Sequence, residues 1–540
     1  MKNTVRKFLS LALAMIMVLG LAACGGDKST SGTTSGNTSG TTSSTTTEKS
    51  EVVTSQNNAA DQEVVDTGSY KKELVIGCDE AFYSMDPGYS TGINQLTVHN
   101  LAHDGLVTID IETNEIVGEI AESWEWVDDV TLRWNLRKGV KFHDGTELTA
   151  ADVEFSLEHW YASSYLASRV EWVDHCEIID DYTIDFVLTD SAQDFLGYMT
   201  LSCYGIVSAA AVDDDPDEGW KIGAGPFMFE DFVYGSHVTL ARFDDYYGEL
   251  PKTEKITFKL MPEASARIIA LQTDEIDICI NPAAIELPTV EATEGLKLWE
   301  KVGGDTLQYL AVNIQNPKFN QNIRQAMAYA ISKEDVMLMT TEGRGEVANT
   351  FLGKSAFGSD DSAFVYEYNP AKARELLEKE GAVGLTIEIM AITNEKVLQA
   401  QAIQACLNAV GFDCQIAQVE AAAMLTATAS AEHDAVLYNW AGSPLGPDNV
   451  MRPLFNSTNA SNRTKYADPE LDQMIDEAMV EADTAKRAQM YKDMQVKILS
   501  EAAMIPLYFG NVYLATREEV QNLHVNGANI HEFAWVFVND

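Results

Sequence analysis

The stretch from residue 119 to residue 157 constrains the fold of this 540-residue chain more than any other part of the sequence. Residues 131–136 alternate apolar and polar side chains, which predicts a half-buried β-strand. A second short strand is predicted at 140–142, and the residues at 143–146, which include Gly145, are typical of a tight turn. This part of the chain is therefore predicted to be scaffold and not an active site.

A helix is predicted directly after this turn. Thr149 is a good N-cap, and Asp152 stands three residues later, where the positive end of the helix dipole favours a carboxylate. Val153, Leu157 and Trp160 then recur at helical spacing. The stretch thus predicts strand, turn and helix in that order.

The same stretch also contains a long ordered pattern. It has Ala-Glu-Ser-Trp at 121–124, Leu-Arg-Lys-Gly-Val-Lys-Phe-His-Asp-Gly at 136–145 and Thr-Ala-Ala-Asp-Val at 149–153. This order resembles the signature of the extracytoplasmic solute-binding proteins of family 5, the peptide-, dipeptide- and nickel-type binding components of ABC importers. Because about twenty positions match in order, the pattern is far more specific than a short motif.

The resemblance implies an α/β fold of the type II periplasmic-binding-protein class, with two hinged lobes and an extra subdomain in the first lobe. The length agrees, because a chain of this size is expected to form two or three lobes. Strands predicted near 385–391 and 413–417, with helices between, indicate a parallel-rich sheet covered on both faces. The expected organisation is a lipoprotein signal peptide at 1–23, a lipid anchor and tether at 24–70, a first lobe at 71–312 and 506–540 with an inserted subdomain at about 108–221, and a second lobe at 313–505.

The N-terminal segment predicts export and anchoring. An apolar run from Phe8 to Ala22 follows a basic start and is shorter than the about 20 residues that cross a bilayer, which favours a signal peptide. Leu21-Ala22-Ala23-Cys24 resembles a bacterial lipoprotein box, so Cys24 is the expected lipidated first residue of the mature protein. An ordinary signal peptide followed by an unmodified cysteine is the alternative. Residues 25–69 are almost entirely small and polar, and we expect them to form a flexible tether.

Charge and cysteine content exclude several classes of protein. A formal charge of −45 repels nucleic acid and anionic lipid, so we exclude both as specific partners and expect membrane contact through the lipid anchor only. No CxxC motif occurs, and too few cysteines are present for a disulfide framework. Six cysteines besides Cys24 are therefore expected to be small buried side chains, with their disulfide state left open: Cys78, Cys176, Cys203, Cys279, Cys406 and Cys414.

Two histidines are weak candidates for a metal site. His99 and His103 stand four residues apart on one face of a helix predicted near Asn94, a spacing at which two imidazoles can ligate a metal ion. No third His, Cys or carboxylate stands at a recognisable ligand spacing, and the resemblance favours packing or lining of the cleft. We therefore expect neither a metal nor another cofactor.

The segment Asn439–Asn449 carries the main candidate ligand contacts. In the peptide-binding members that this segment resembles, a Trp is followed three positions later by an Asp that pairs with the α-ammonium of the ligand. Trp440 matches, but the Asp position holds Ser443, whose neutral side chain cannot compensate a buried ammonium. Recognition of a free peptide N-terminus is therefore not expected unless another carboxylate substitutes.

Four further residues are candidates for the cleft. Arg344 stands between two glycines, and its guanidinium is suited to bind a ligand carboxylate through paired hydrogen bonds. A solvated surface arginine is the alternative. Tyr89, Ser90 and Asn439 are further candidate ligand-binding positions.

No enzyme motif accompanies these candidates. The sequence lacks a GxSxG elbow, a P-loop, a GxGxxG fingerprint after a strand and an HExxH helix. We therefore expect a monomeric, lipid-anchored extracytoplasmic receptor that captures a peptide or another small solute and delivers it to the permease subunits of an ABC importer. A solute or pheromone-type sensor on the same fold and an extracellular hydrolase are the alternatives.

Overall fold

The computed structural model describes most of the chain after residue 63. The described residues are 52–54, 64–89, 92–110, 113, 115–163, 166–170, 172–190, 192, 194–354, 356–442 and 446–540. Cys24, Ser90 and Ser443 lie outside the described residues, as do the expected signal peptide and most of the expected tether.

Strands are distributed along the whole described part of the chain. They are β1 Val52–Thr54, β2 Glu73–Cys78, β3 Val107–Ile109, β4 Ile116–Gly118, β5 Ala121–Trp126, β6 Thr131–Leu136, β7 Val173–Asp180, β8 Thr183–Leu188, β9 Phe227–Val233, β10 His237–Arg242, β11 Lys255–Leu260, β12 Ile278–Ile280, β13 Leu296–Lys301, β14 Thr306–Val312, β15 Glu346–Val347, β16 Thr386–Ala391, β17 Asp413–Gln418, β18 Ala435–Ala441, β19 Met504–Phe509, β20 Val512–Arg517, β21 Val520–Gln521 and β22 Phe537–Val538.

Helices alternate with these strands, most densely in the second half of the chain. They are α1 Ile93–Ala102, α2 Ala150–Ala162, α3 Ala167–Val170, α4 Phe195–Met199, α5 Ala209–Asp214, α6 Ala264–Gln272, α7 Leu287–Ala292, α8 Gln321–Ala330, α9 Lys333–Thr341, α10 Pro370–Lys379, α11 Asn394–Val410, α12 Ala421–Ala429, α13 Asp448–Phe455, α14 Pro469–Val480 and α15 Thr484–Ser500. Within the described part of the chain, no helix is both long enough and apolar enough to cross a membrane.

Two large mixed sheets organise the structure. One has eight strands in the order β1-β13-β20-β12-β2-β11-β10-β9, and the other has six in the order β15-β19-β14-β18-β16-β17. In the six-stranded sheet β16 pairs in parallel with β17 and β18, which confirms the parallel pairing predicted near 385–391 and 413–417. The sheet as a whole is mixed, because β14 and β19, which connect to the other sheet, pair antiparallel within it.

The chain passes between the two sheets at two adjacent places. It leaves the eight-stranded sheet after β13, enters the six-stranded sheet at β14, and returns through the short link between β19 and β20. The two links are hydrogen-bonded to each other, because Gly303 N–H donates to Asn511 Oδ1 at 3.0 Å and Gly304 N–H donates to Gly510 O at 2.9 Å. These links lie within a few residues of the expected lobe boundaries, but the division of the chain into lobes stays a prediction.

A separate four-stranded antiparallel sheet, in the order β5-β6-β8-β7, contains the stretch that constrains the fold. Strand β6 covers residues 131–136 as predicted, and its three apolar side chains, Leu132, Trp134 and Leu136, are at most 3% exposed. The predicted start of helix α2 is also confirmed. The Thr149 N–H donates to the Asp152 carboxylate at 2.9 Å, so the acidic side chain satisfies a backbone group that the helix itself leaves free.

The short strand predicted at 140–142 is not formed. Only Lys141 pairs, in a single antiparallel bridge to Glu147. The turn that follows is the reason: Phe142 N–H donates to Thr146 O at 2.9 Å, and Gly145, with φ of 86°, donates back to Phe142 O at 2.9 Å. The pairing ends at Val140, whose carbonyl accepts from Leu148 N–H at 2.9 Å, so the segment forms a single bridge and not a strand.

Candidate ligand-binding cleft

A large cleft lies where the two links join the two sheets. Its volume is about 1310 Å³, and both sheets contribute side chains to its walls. The lining residues used below include Asp104, Glu119, Trp299 and Glu532 on the side of the eight-stranded sheet, and Asp305, Tyr438, Asn439 and Trp440 on the side of the six-stranded sheet. A concave space of this size between two sheets is a typical place for a ligand to bind.

Strand β18 brings two of the predicted residues into this cleft. It is held by antiparallel pairing with β14, from Ala435 opposite Val312 to Ala441 opposite Thr306, so its C-terminal end lies beside the link between the sheets. Asn439 and Trp440 line the cleft there, and the Trp440 indole N–H donates to Asn449 O at 2.8 Å. This hydrogen bond fixes the indole ring, which leaves its apolar surface available to a ligand.

The other predicted ligand contacts lie elsewhere or outside the described residues. Tyr89 ends a single turn of 3-10 helix and is 49% exposed, and it is not among the described residues that line the cleft. Arg344 is likewise absent from that lining, and its guanidinium pairs with Glu291 at 2.8 Å and lies 4.0 Å from Glu300. Its charge is thus already balanced by Glu291, and Glu300, which lines the cleft, lies at the limit of ion-pair distance. Ser443 and Ser90 cannot be placed, so their roles stay predictions.

The two histidines face each other in the interior. His99 and His103 are at most 1% exposed, and their Nδ1 atoms lie 3.0 Å apart. Gln95 Nε2 lies 2.7 Å from His99 Nε2, and His103 Nε2 lies 2.9 Å from Trp220 O. One set of neutral tautomers satisfies the whole chain: Gln95 donates to His99, His99 donates to His103, and His103 donates to the carbonyl.

Burial explains why these rings stay neutral. It lowers the pKa of His99 to about 3 and holds the pKa of His103 well below its usual range. Every ring nitrogen is engaged in this arrangement, which supports the packing role. Among the described residues, no group of three or more His, Cys, Asp or Glu side chains is arranged to hold a metal ion.

An acidic cluster, formed by Asp104, Glu119 and Glu532, lies on the cleft wall beside these histidines. The hydroxyls of Tyr246 and Tyr247 donate to Asp104 Oδ2 at 3.0 and 2.7 Å, and Gly105 N–H donates to Glu119 at 2.6 Å. Within the part of the chain that the structure describes, no Lys or Arg forms an ion pair with any of the three carboxylates. The cluster therefore has hydrogen-bond donors but no counter-charge.

Burial and mutual repulsion raise the proton affinity of the acidic cluster. Burial raises the pKa of Asp104 to about 7, against the opposing effect of the two tyrosine hydroxyls. Burial also raises the pKa of Glu532 to about 7, with a further contribution from Asp104. Burial and the neighbouring Asp104 carboxylate hold the pKa of Glu119 well above its usual range. Asp104 and Glu532 are therefore partly protonated near neutral pH.

Sequence analysis did not find the acidic residues of the cleft. Asp104 follows α1, Glu119 follows β4, Asp305 lies in the link before β14, and Glu532 lies near the C-terminus. Four distant segments therefore supply these side chains, and no local spacing connects them. The one available signal was the Gly-Gly-Asp sequence at 303–305, which marks a flexible link ending in a carboxylate.

Comparisons with known proteins agree with this architecture. The family described as bacterial extracellular solute-binding proteins, family 5 middle, matches residues 115–462. The dipeptide-binding protein of Escherichia coli K12 is 28% identical over 470 residues, which cover 80% of this chain and 88% of that protein. Di/tripeptide-binding protein 1 of Pseudomonas aeruginosa UCBPP-PA14 is 25% identical over 510 residues, 87% of this chain and 95% of that protein.

A solved structure gives the same result. The periplasmic binding protein DppA of Helicobacter pylori, in complex with the peptide STSA, superposes with a TM-score of 0.77 at 25% identity and covers 87% of this chain and 99% of its own. This likeness confirms the predicted type II fold. The relatives are binding proteins by name and not enzymes. Because the family match spans more than half of the chain, this protein belongs to the bacterial extracellular solute-binding proteins of family 5.

Proposed function

We propose that this protein captures a peptide, or a solute of similar size, in the cleft and delivers it to the permease of an ABC importer. The observation that carries this proposal is the cleft of about 1310 Å³ lined from both sheets. It exceeds the roughly 300–1,000 Å³ of pockets for single drug-sized molecules, so it suits a longer solute. The peptide-binding names of the relatives support the same class of ligand.

An open strand edge supports a peptide in particular. β14 pairs with the full length of β18, but on the opposite edge β16 pairs only with Ala435 and Val436. The last residues of β18 therefore present backbone groups on a side that carries no further ladder among the described residues. An extended peptide can add to such an edge through main-chain hydrogen bonds, while Trp440 contacts its side chains.

The two links between the sheets act as a hinge in this proposal. Contacts from both walls exist only in the closed state, so the ligand shifts the population toward closure by that difference in free energy. Small-angle scattering should show a smaller radius of gyration with a verified saturating ligand. Identical profiles with and without that ligand would contradict closure.

Anchoring at the outer face of the cell membrane is the second part of the proposal. It rests on Leu21-Ala22-Ala23-Cys24, which is followed by a small, polar tether long enough to keep the receptor near a permease. Cys24→Ala should release the protein from the membrane fraction. A variant that still sediments with membranes after a salt wash would show that Cys24 is not the anchor.

Native mass spectrometry tests the ligand class directly. The protein is expressed without its lipid anchor and incubated with a cell extract. Native mass spectrometry then gives the mass of any solute that stays bound. A retained peptide, together with uptake that requires an adjacent permease, is the expected result. Retention without permease-dependent uptake favours a sensor, and release of a cleaved product favours a hydrolase.

A further inference from the structure

The cleft is strongly biased toward negative charge. Among the described residues, three basic side chains line it: Arg137, Lys301 and Lys354. Eight acidic side chains line it, and they come from both walls: Glu80, Asp104, Asp110, Glu119, Glu300, Asp305, Glu346 and Glu532. A concave surface with this excess of carboxylates concentrates cations and repels anions.

Most of these carboxylates have partners within the protein. Asp104 and Glu119 accept hydrogen bonds from tyrosines and a backbone amide, as described above. Glu300 accepts from Asn511 at 2.7 Å and from Tyr513 at 3.1 Å, and Glu346 is paired with Lys354. Glu80 is exposed to solvent, so water solvates its charge.

Asp305 differs from all of these. Its carboxylate accepts no hydrogen bond and forms no ion pair with any residue that the structure describes, its side chain is half-buried, and Lys301 attracts it from beyond ion-pair distance. Its side chain lies against the backbones of two glycines, since a Cβ at Gly527 would stand 2.5 Å from Oδ2 and one at Gly353 would stand 3.2 Å from Oδ1. The missing side chains at these glycines make room for the carboxylate without supplying a donor.

The backbone fixes this carboxylate at the ligand end of β18. Asp305 N–H donates to Gly527 O at 2.8 Å, and Gly442 N–H donates to Asp305 O at 2.9 Å. Asp305 is thus tied to both walls at once and lies two residues from the strand position of Trp440. Because this carboxylate has no partner in the protein, a ligand that supplies a positively charged donor gains a charge-assisted hydrogen bond on binding.

We propose that Asp305 is the cation-binding position of the cleft and that the captured solute carries a positively charged nitrogen, a primary ammonium or a guanidinium, that pairs with this carboxylate. The inference rests on the proposed capture of a solute in the cleft and adds the chemical class of one of its groups. The Trp440 ring, which also lines the cleft, adds aromatic surface for the cation.

Matched pairs of probes that differ only in this charge test the proposal. Titration calorimetry is carried out with Ala-Phe and Ala-Phe-Ala against their N-acetylated forms, and with phenethylamine against phenethyl alcohol. The proteins compared are the natural chain, Asp305→Asn and Asp305→Glu. Asp129→Asn is the matched control, because it removes the same charge from an exposed turn far from the cleft lining.

The expected result is selective. Asp305→Asn should weaken binding of the charged probes about 10- to 100-fold, since a hydrogen bond to a charged group is lost, and should leave the uncharged probes within about 3-fold. Asp129→Asn should change neither, and Asp305→Glu should keep part of the preference. Because Asp305 has no partner to lose, Asp305→Asn should also melt at the same temperature as the natural chain or higher, which verifies that it is folded.

Each other outcome decides between the two proposals. Equal affinity for charged and uncharged forms in the natural chain overturns the role of Asp305 and leaves peptide capture standing. Binding of phenethylamine that depends on Asp305, with no binding of either peptide, supports the cation position and overturns the peptide. A preference for charged probes that survives in Asp305→Asn assigns the cation to the acidic cluster. No binding of any probe overturns the cation position, and the native mass spectrometry described above then decides the proposed capture.

Discussion

Two groups of buried carboxylates in this protein are balanced in different ways. The acidic cluster on the cleft wall is held by tyrosine and backbone donors alone. A second group, here called the paired cluster, consists of Asp194 and Asp448 with Arg452 and Arg487. Arg452 Nε lies 2.9 Å from Asp448 Oδ2, and Arg487 lies 3.6 Å from Asp194. Every carboxylate of the paired cluster therefore has a guanidinium within ion-pair distance, and none in the acidic cluster has.

The difference corresponds to location. The paired cluster joins α4, beside the four-stranded sheet, to α13 and α15, and Met479 of α14 packs into the hydrophobic core of that sheet at the same interface. Its carboxylates are at most 2% exposed, so they require internal counter-charges. The acidic cluster faces a cleft in which a ligand or water can supply what the protein does not. Access explains only part of the difference: Glu119 and Glu532 are half-buried at the cleft, but Asp104 is 2% exposed, as buried as Asp194, and depends on its two tyrosine donors.

The largest effect is expected from removing an arginine of the paired cluster. Arg452→Ala leaves the buried Asp448 carboxylate without its ion pair and also removes the stacking of the guanidinium over Trp172, 5.4 Å from the ring centroid. We expect a loss of about 3–5 kcal/mol in the free energy of unfolding, the range for breaking a buried ion pair. Denaturant unfolding followed by tryptophan fluorescence measures it.

An exposed ion pair provides the matched control for this prediction. Arg374 and Glu378 lie one helical turn apart on α10 with more than half of each side chain exposed. Arg374→Ala should cost less than about 0.5 kcal/mol. If both alanine variants unfold at similar denaturant concentrations, then the buried ion pair of Arg452 contributes no more to stability than an exposed one.

The next largest change in the free energy of unfolding is expected at the acidic cluster, where a substitution should stabilise the protein. Burial raises the pKa of Asp104 to about 7, whereas an unfolded Asp titrates near about 4. The folded protein therefore binds the Asp104 proton more tightly than the unfolded chain does. The contribution of this group to stability is complete below about pH 4 and is lost as the pH rises to about 7. Asp104→Asn removes this loss and should stabilise the protein at pH 8.

The size of that gain follows from two opposing contributions. A shift of about three pKa units corresponds to about 4 kcal/mol, but Tyr246 and Tyr247 exchange a charged acceptor for a neutral amide oxygen. We expect a net gain of roughly 2 kcal/mol at pH 8 that disappears by pH 4. Chemical denaturation at both pH values measures it, and a gain that does not depend on pH would contradict a titrating Asp104.

Local sequence patterns predicted the scaffold because its causes are local. The alternation at 131–136 and the Thr149–Asp152 pair each act within one element, and both were confirmed in the structure. The failed strand at 140–142 shows the limit of such patterns, since strand propensity gives no information on whether a partner strand has room to pair.

The charged groups of the cleft could not be predicted in the same way. The glycine-flanked loop left Arg344 as either a cleft residue or a solvated surface arginine, and it gave no sign of the ion pair with Glu291, more than fifty residues earlier in the chain. Asp305 had no distinguishing neighbours except two glycines, and its isolation depends on residues 353 and 527. The packing of distant segments decides which carboxylate is left without a partner. Local patterns in a single sequence therefore cannot predict it.

The smallest effect is expected at the hydrogen bond that links the two halves of the paired cluster. The Tyr491 hydroxyl donates to Asp194 Oδ2 at 3.1 Å, and its ring is fully buried, so Tyr491→Phe removes one donor and leaves the packing intact. Arg487 still balances the charge of Asp194, so we expect the free energy of unfolding to fall by only about 1 kcal/mol.

Tyr491 and Asp194 belong to elements on opposite sides of the proposed hinge, so the lost hydrogen bond should also destabilise the closed state relative to the open state. Ligand affinity should therefore fall about 5-fold through faster dissociation. Dissociation rates from stopped-flow fluorescence check this, and an unchanged rate together with a lower free energy of unfolding would restrict Tyr491 to folding alone.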